Sequence, residues 1–80
     1  MSEKLKLEMV TPYKRVLSEE VEELSAPGSL GEVGVLPGHT PLLTTLNVGE
    51  LTYKKDGETF HVAVNSGYVE VEDDTVTVLV

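Results

Sequence analysis

The chain has 80 residues, a net charge of −8 and no cysteine, and these features exclude several classes of protein. Fourteen acidic residues against six basic ones repel phosphate backbones and anionic lipid headgroups, so we expect no nucleic-acid partner. Without cysteine, the chain can form neither a disulfide framework nor a thiolate metal site. No apolar run approaches the roughly 20 residues of a membrane-spanning helix, so we expect no direct insertion into a bilayer.

The size of the chain predicts a single domain, residues 1–80. A chain this short buries only about 60% of the surface of its unfolded state, so its stability depends on one good core. Its apolar fraction of 40%, rich in valine and leucine, suffices for one core. The sequence contains no internal repeat and no low-complexity linker that would mark a domain boundary.

The N-terminal segment has the alternation of a half-buried strand. Along Leu5–Met9, apolar residues alternate with charged ones, which is the period of a strand with one buried face. Thr11-Pro12 predicts the end of this strand, because proline cannot donate to a ladder. A second strand is predicted to begin at Val16-Leu17.

The alternation of apolar and polar residues is interrupted in the next segment, where two glutamates separate Val21 from Leu24. A β-bulge or a crossover between sheets would return Leu24 and Ala26 to the core. The composition of Pro27-Gly28-Ser29 predicts a turn. Val33-Gly34-Val35 then predicts a short strand.

Asp56-Gly57 is a strong signal for a two-residue β-hairpin with a type I′ turn. Such a turn places Tyr53 opposite Phe60 and Leu51 opposite Val62. The large apolar residues then share one face, with an aromatic pair across it, and a slip of one residue would destroy this match.

Asp73-Asp74 is a weaker turn signal. Residues at equal distances from this turn would again lie opposite each other. A hairpin there places Val71 opposite Val76 and Val69 opposite Val78. Short strands separated by turn signals predict an all-β fold. Within that class we expect a flattened β-sandwich or barrel of mostly antiparallel strands around a single core.

The sequence offers no constellation of catalytic residues. His39 and His61 are the only histidines, whereas a metal site needs three or four ligands at suitable spacing. His61 lies in a predicted strand on the face away from Phe60, which is typical of an exposed strand residue. No serine lies in a nucleophile elbow, and the glycine-rich region lacks a phosphate-loop lysine. We therefore expect a binding protein and not an enzyme, with no catalytic residue, metal or cofactor.

The longest ordered motif is Gly31–Leu43, GEVGVLPGHTPLL, in which glycines and prolines are crowded between apolar runs. Together with Gly28-Ser29 before it, this motif resembles the signature of the epsilon subunit of bacterial F-type ATP synthase (delta in mitochondria). The spacings in Leu7–Pro12, Val64–Val71 and Val76–Leu79 resemble the opening and closing strands of that family. The resemblance covers nearly the whole chain.

The resemblance implies an N-terminal β-sandwich domain that is a non-catalytic part of the rotor. In the family this domain binds the gamma subunit and the ring of c subunits, and couples proton-driven rotation to ATP synthesis. It implies a peripheral position at the cytoplasmic face of the bacterial inner membrane. Family members usually continue into an inhibitory C-terminal helical hairpin, which we expect to be absent here. We expect the isolated domain to be monomeric.

The resemblance also implies two sets of contact residues. The first set faces the polar loops of the c ring and comprises Ser29, Leu30, Gly31 and Glu32. An acidic Glu32 is complementary to the basic residues that such loops carry. The second set faces the gamma subunit and comprises Thr11, His39 and Thr44.

A second interpretation of the sequence is a stand-alone small β domain that binds a peptide or ligand. In that case a partner strand would add to an open edge of the sheet. A pulldown with gamma would separate the two interpretations.

Overall fold

The computed structural model describes residues 4–80 and shows nine short strands in one curled sheet, with no helix in that range. The first three residues of the predicted domain therefore lie outside the described residues. The strands are β1 Leu5–Val10, β2 Arg15–Val21, β3 Glu23–Gly28, β4 Gly31–Val35, β5 Leu42–Leu46, β6 Gly49–Lys55, β7 Glu58–Val64, β8 Gly67–Glu72 and β9 Thr75–Leu79.

The strand order is β2-β1-β9-β8-β5-β3-β6-β7, with β4 paired to β3. Every pairing is antiparallel except that of β1 with β9. β3 joins the two halves of the sheet, because Gly28 pairs with Leu46 of β5 while Ser25 pairs with Thr52 of β6. The prediction of an all-β, mostly antiparallel sandwich or barrel is confirmed.

The core lies inside the curl and consists entirely of apolar and aromatic side chains among the described residues. Alternate residues of the strands supply it, as the period-two pattern requires. The buried residues are Leu5, Leu7, Met9, Val21, Leu24, Ala26, Val35, Leu46, Leu51, Tyr53, Val64, Val69, Val71, Val76 and Val78.

The hairpin of β6 and β7 has the predicted register. Asp56 and Gly57 both have positive φ, 52° and 80°, as a type I′ turn requires. Tyr53 and Phe60 stack with their ring centroids 5.2 Å apart. This hairpin is also tied to β2, since Lys55 Nζ lies 2.5 Å from Glu19 Oε2.

The hairpin of β8 and β9 also has the predicted register, with Val71 opposite Val76. Its turn residues Asp73 and Asp74 have φ of 49° and 57°, a conformation that non-glycine residues seldom adopt. The Asp74 carboxylate accepts a hydrogen bond of 2.7 Å from the Gly38 N–H. This bond links the turn to the loop that follows β4.

The phase break after Val21 is a crossover. Glu22 separates β2 from β3, and its N–H donates to the Lys54 carbonyl at 2.7 Å. The chain passes here from the outer strand beside β1 to the other half of the sheet. Val21 and Leu24 therefore both reach the core, at 0% and 3% exposure.

The turn predicted at Pro27-Gly28-Ser29 is wrong by two residues. Pro27 and Gly28 complete β3, and the turn is formed by Ser29 and Leu30. Proline is tolerated in β3 because the pairing with β6 stops at Ser25 and the pairing with β5 is at Gly28. Pro27 stands opposite Glu32 of β4. On the side of β3 that faces β5 and β6 it lies between those two pairings, so its missing N–H interrupts neither of them.

Gly67 and Gly34 give a test of packing at the sheet. A Cβ on Gly67 would overlap the backbone oxygen of Leu79, whereas a Cβ on Gly34 would meet no atom within 4 Å. We expect Gly67→Ala to lower the free energy of unfolding by about 1–3 kcal/mol. The matched change Gly34→Ala should stay within about 0.5 kcal/mol of the unaltered chain. Urea unfolding measures both, and equal midpoints for the two variants would contradict the packing at β8 and β9.

Candidate docking surfaces

The loops gather at two ends of the sandwich, which the ladder pairings define. The Leu30 end carries the loops 11–14, 29–30, 47–48 and 65–66 together with Val80. The pairs Gly28 with Leu46 and Leu46 with Gly67 place these loops together. The His39 end carries the loop 36–41 and the turns 56–57 and 73–74.

Ser29 holds the loop between β3 and β4 in place. Its N–H donates to the Thr45 carbonyl at 3.0 Å, and its Oγ accepts from the Thr45 hydroxyl at 2.5 Å. Gly31 follows with φ of 130°, which favours glycine. Leu30 at the tip is consequently 98% exposed. Of the four predicted c-ring residues, Ser29 orients the loop, and Leu30, Gly31 and Glu32 remain accessible.

Two further apolar side chains are exposed at the Leu30 end and are absent from the predicted contacts. Tyr13 is 94% exposed and Val48 is 74% exposed. Both interrupt polar turns, since Tyr13 follows Pro12 and Val48 follows Asn47. Apolar residues in turns were the signal that could have identified them. Large apolar side chains that solvent reaches at one end of a domain are candidates for an interaction surface.

His39 lies in a closed loop at the opposite end. Its N–H donates to the Leu36 carbonyl at 3.1 Å, and Gly38, at φ of 87°, is held by Asp74. His39 Nδ1 lies 2.6 Å from the Thr40 carbonyl oxygen. Because a carbonyl only accepts, Nδ1 carries the proton of the neutral ring and Nε2 is left as an acceptor.

The structure does not bring the three predicted gamma residues together. Thr11 lies at the Leu30 end, where its hydroxyl accepts hydrogen bonds from the N–H groups of Tyr13 and Lys14 at 3.1 Å. Thr44 lies half-buried in the middle of β5, opposite the buried Val69. His39 precedes the other end of β5, a strand of five residues that spans roughly 15 Å.

Leu43 is the apolar residue of β5 that solvent reaches, with 68% exposure. It faces outward opposite Glu70, whereas Leu42 and Leu46 lie on the inward side of the strand. The sequence Leu42-Leu43-Thr44-Thr45-Leu46 has paired leucines and paired threonines. Because apolar and polar residues do not alternate along this strand, the sequence does not predict which of them face outward.

The acidic charge is concentrated toward the His39 end. The Leu30 end is balanced, with Lys14 and Arg15 against Glu32 and Glu50. His61 is exposed as predicted and lies 2.9 Å from Glu50 Oε1 through its Nδ1. The carboxylates toward the His39 end are Glu19, Glu20, Glu22, Glu23, Asp56, Glu58, Glu72, Asp73 and Asp74.

The Glu8 carboxylate is partly enclosed, with 14% of its side chain exposed. The hydrogen bond from the Ser18 hydroxyl lowers the pKa of Glu8 from its ordinary 4.5, partial burial opposes this, and Arg15 and Lys6 act with Ser18. Arg15 Nε lies 3.5 Å from Glu8 Oε2. That oxygen is inaccessible to solvent and accepts no hydrogen bond from the described residues.

Two kinds of site are absent within residues 4–80. No three His, Asp or Glu side chains there are placed so that they could hold a metal ion. The same residues include no helix with the length and apolarity to cross a membrane.

Comparison with protein families tests the resemblance that the sequence shows. Residues 4–80 match the family model described as ATP synthase, Delta/Epsilon chain, beta-sandwich domain. The chain belongs to this family. The resemblance read from Gly31–Leu43 is thereby confirmed.

Named relatives agree over the whole chain. ATP synthase epsilon chains of Geobacter metallireducens, Geotalea uraniireducens and Geobacter sulfurreducens are 69%, 70% and 66% identical to it over 80 residues. The alignments cover 100% of this chain and 58% of each relative. The chain thus spans less than two thirds of the length of these relatives.

Solved structures share the fold. A chain of the mitochondrial ATP synthase of Euglena gracilis, solved with OSCP, F1 and the c-ring, superposes with a TM-score of 0.91 at 23% identity. The alignment covers 99% of this chain and 51% of that one. A chain of the Tetrahymena thermophila central stalk and c-ring gives 0.76 at 19% identity, with 95% and 62% covered.

The environment of Glu8 predicts a pH dependence of stability. Its pKa in the folded state lies below the ordinary 4.5, so its stabilising contribution is present above that value and is lost as the pH falls through the folded-state pKa. We expect Glu8→Gln to lower the urea midpoint at neutral pH, with the difference shrinking in acid.

The control for this experiment is Glu70→Gln, at an exposed position on β8, which β9 separates from β1. Its effect should be small at both pH values. A Glu8→Gln difference that stayed constant from neutral pH to well below 4.5 would contradict the described surroundings of Glu8.

Proposed function

We propose that the chain is a non-catalytic rotor subunit of the bacterial F-type ATP synthase, binding both the gamma subunit and the c ring. Family membership and the epsilon-chain relatives support this proposal. The observation that carries it is the placement of two structured loops at opposite ends of one sheet. One is the Leu30 loop and the other is the His39 loop.

The Leu30 end is proposed to rest on the polar loops of the c ring. Leu30, Tyr13 and Val48 would supply apolar contact there, since all three are largely exposed. Glu32 is exposed beside them on β4 and would face basic side chains of the c subunits, giving orientation and register. Ser29 would act by holding the loop, through its two hydrogen bonds to Thr45.

The gamma subunit is proposed to contact His39, Thr11 and Thr44. His39 presents Nε2 as an acceptor, because its Nδ1 is engaged with the Thr40 carbonyl. Gly38 and Asp74 fix the loop on which His39 lies. Thr44 is half-buried on the inward side of β5, so we propose that it acts chiefly through the shape of this strand.

The proposed role in coupling is mechanical. A torque between ring and shaft requires a stiff body with large contact areas, and a close-packed apolar core transmits strain. The continuous core from β1 to β9 suits this demand. In the assembled enzyme the chain would lie at the cytoplasmic face of the bacterial inner membrane, as a peripheral component without a reaction of its own.

The c-ring contact is tested by reversing the charge of Glu32. We expect Glu32→Lys to weaken attachment of the catalytic head to membranes that contain the c ring by about tenfold, because attraction becomes repulsion. ATP-driven proton pumping should fall in parallel. Sedimentation of the head with such membranes and a pumping assay measure the two effects.

The control for Glu32 is Glu20→Lys, an equal charge change at an exposed residue of β2. It should leave attachment and pumping near their starting values. Full pumping in Glu32→Lys, with the variant present in the complex, would overturn the c-ring contact.

The gamma contact is tested with the two histidines. His39→Arg places a long charged side chain where Nε2 was available, and we expect it to weaken co-purification with gamma by about tenfold. His61→Arg is the matched control, because His61 is exposed on β7 beside Glu50. Equal recovery of gamma with both variants at matched concentrations would argue against His39 as a contact.

A further inference from the structure

The strand β7 lies at one end of the strand order, and its outer edge has no strand beside it. In the part of the chain that the structure describes, β7 pairs with β6 and with no other strand. β7 has seven residues, so its edge is long enough for several backbone hydrogen bonds. The unpaired N–H and C=O groups of such an edge form a template on which a further strand can pair.

The register of the β6–β7 hairpin determines which backbone groups of β7 face outward. In a two-residue hairpin, the residues that close the turn exchange backbone hydrogen bonds, and here they are Lys55 and Glu58. Bonded and non-bonded pairs then alternate along the ladder. Thr59, His61 and Ala63 therefore direct their N–H and C=O groups away from β6.

A hydrogen bond on the far side of β6 supports this assignment. Lys54 stands opposite Thr59, and its carbonyl accepts from the Glu22 N–H at 2.7 Å. The backbone groups of Lys54 therefore point away from β7, and those of Thr59 point away from β6. Thr59 is exposed, as are His61 and Ala63, so solvent reaches the edge along its length.

The edge of β7 lacks the features by which edge strands usually avoid pairing. Such strands carry lysine, proline or a bulge. β7 contains neither lysine nor proline, and its pairing with β6 has no register shift. By contrast β2, at the other end of the strand order, has a register shift beside Val10 and carries Arg15, Glu19 and Glu20. Of these two edges, β7 is therefore the one open to pairing.

The β7 edge is complementary to itself. When two copies of β7 run antiparallel about a two-fold axis at His61, each His61 lies opposite the other, and Thr59 lies opposite Ala63 of the second copy. Each outward N–H then meets an outward C=O. Phe60, which is 37% exposed, lies opposite Val62 of the second copy, and aromatic and β-branched side chains pair favourably across strands. A shift of one residue would place the outward groups opposite residues that bond to β6.

We propose that free copies of this chain form a two-fold symmetric dimer, in which their β7 strands pair antiparallel around His61. This inference goes beyond the proposed function, because it concerns chains that are not bound to other subunits. The same edge is used in both copies, so the assembly closes at two. Pairing of β7 with β2 of a second copy would instead extend without limit, and the charges and the register shift of β2 oppose it.

The dimer is expected to be weak. One pair of strand edges covers a narrow strip, smaller than the roughly 1,200 Å² at which stable interfaces begin. Each copy also carries a net charge of −8, so the copies repel each other. Because salt screens this repulsion, we expect association to strengthen as the salt concentration rises. The monomer expected from the sequence would then be the form of the dilute chain.

The test combines sedimentation equilibrium with NMR over a range of protein concentrations. We expect the mass to approach that of a dimer and not to exceed it. The amide signals of Thr59, His61 and Ala63 should shift with concentration and exchange more slowly. Those of Phe60 and Val62 should change less, because their N–H groups bond to β6. Contacts between side chains alone would not give this alternation.

Two variants of β7 test the pairing directly. Ala63→Pro removes an outward N–H without removing a bond to β6. It should raise the dimer Kd by about thirtyfold, because symmetry removes the same bond twice. His61→Lys places two lysines opposite each other and should raise the Kd by about fivefold. The control Val16→Lys adds the same charge at an exposed position of β2 and should stay within about twofold.

The possible outcomes are distinct. A chain that remains monomeric at millimolar concentration in high salt would overturn the inference. A dimer with the same Kd in the β7 variants and in Val16→Lys would overturn it as well, as would growth beyond a dimer. Circular dichroism and thermal unfolding show whether each variant keeps the sandwich. If Ala63→Pro does not fold, His61→Lys and the alternation of the amide signals decide the question.

Discussion

Burial of one continuous apolar face determines which side chains of every strand face outward. Since side chains alternate across a strand, a residue that enters the core fixes the outward direction of both its neighbours. Val76 and Val78, both 0% exposed, thereby place Thr77 outward beside Glu8 and Glu70. A slip of one residue would put these carboxylates into the core, at a large cost in free energy. The same registers therefore specify both the fold and the set of side chains that faces outward.

The segment from Gly31 to Leu43 connects the two proposed partner surfaces. It leaves the Leu30 loop as β4, is anchored by the buried Val35, and reaches the His39 loop, where Asp74 holds Gly38. β4 pairs with β3 over its full length, so the path between the two loops is part of the ladder. A displacement at one loop would be transmitted through packed strand, which is the property that coupling a ring to a shaft demands.

Local chemistry made much of this structure predictable. Asp56-Gly57 and Asp73-Asp74 fixed two hairpins, because a type I′ turn sets the register of the strands that it joins. Pro27 misled the placement of a turn, since its tolerance in β3 depends on a gap between β5 and β6 that only the tertiary pairing creates. The pairing of β1 with β9 joins the two ends of the chain and has no local signal. The outward position of Leu43 and the wide separation of Thr11 from His39 also depend on pairings between strands that are distant in sequence. Neither could therefore be predicted from the local sequence.

The central claim is that one stiff sandwich meets two different partners, the c ring through the Leu30 loop and gamma chiefly through the His39 loop. Hydrogen–deuterium exchange of the chain, measured alone, with gamma, and in the complete enzyme with the c ring, tests it most directly. We expect gamma alone to slow exchange at residues 38–40 and around Thr11, and the c ring to add protection at residues 29–32 and 47–48. Protection of residues 29–32 and 47–48 by gamma alone, or of neither loop set in the complete enzyme, would contradict the account.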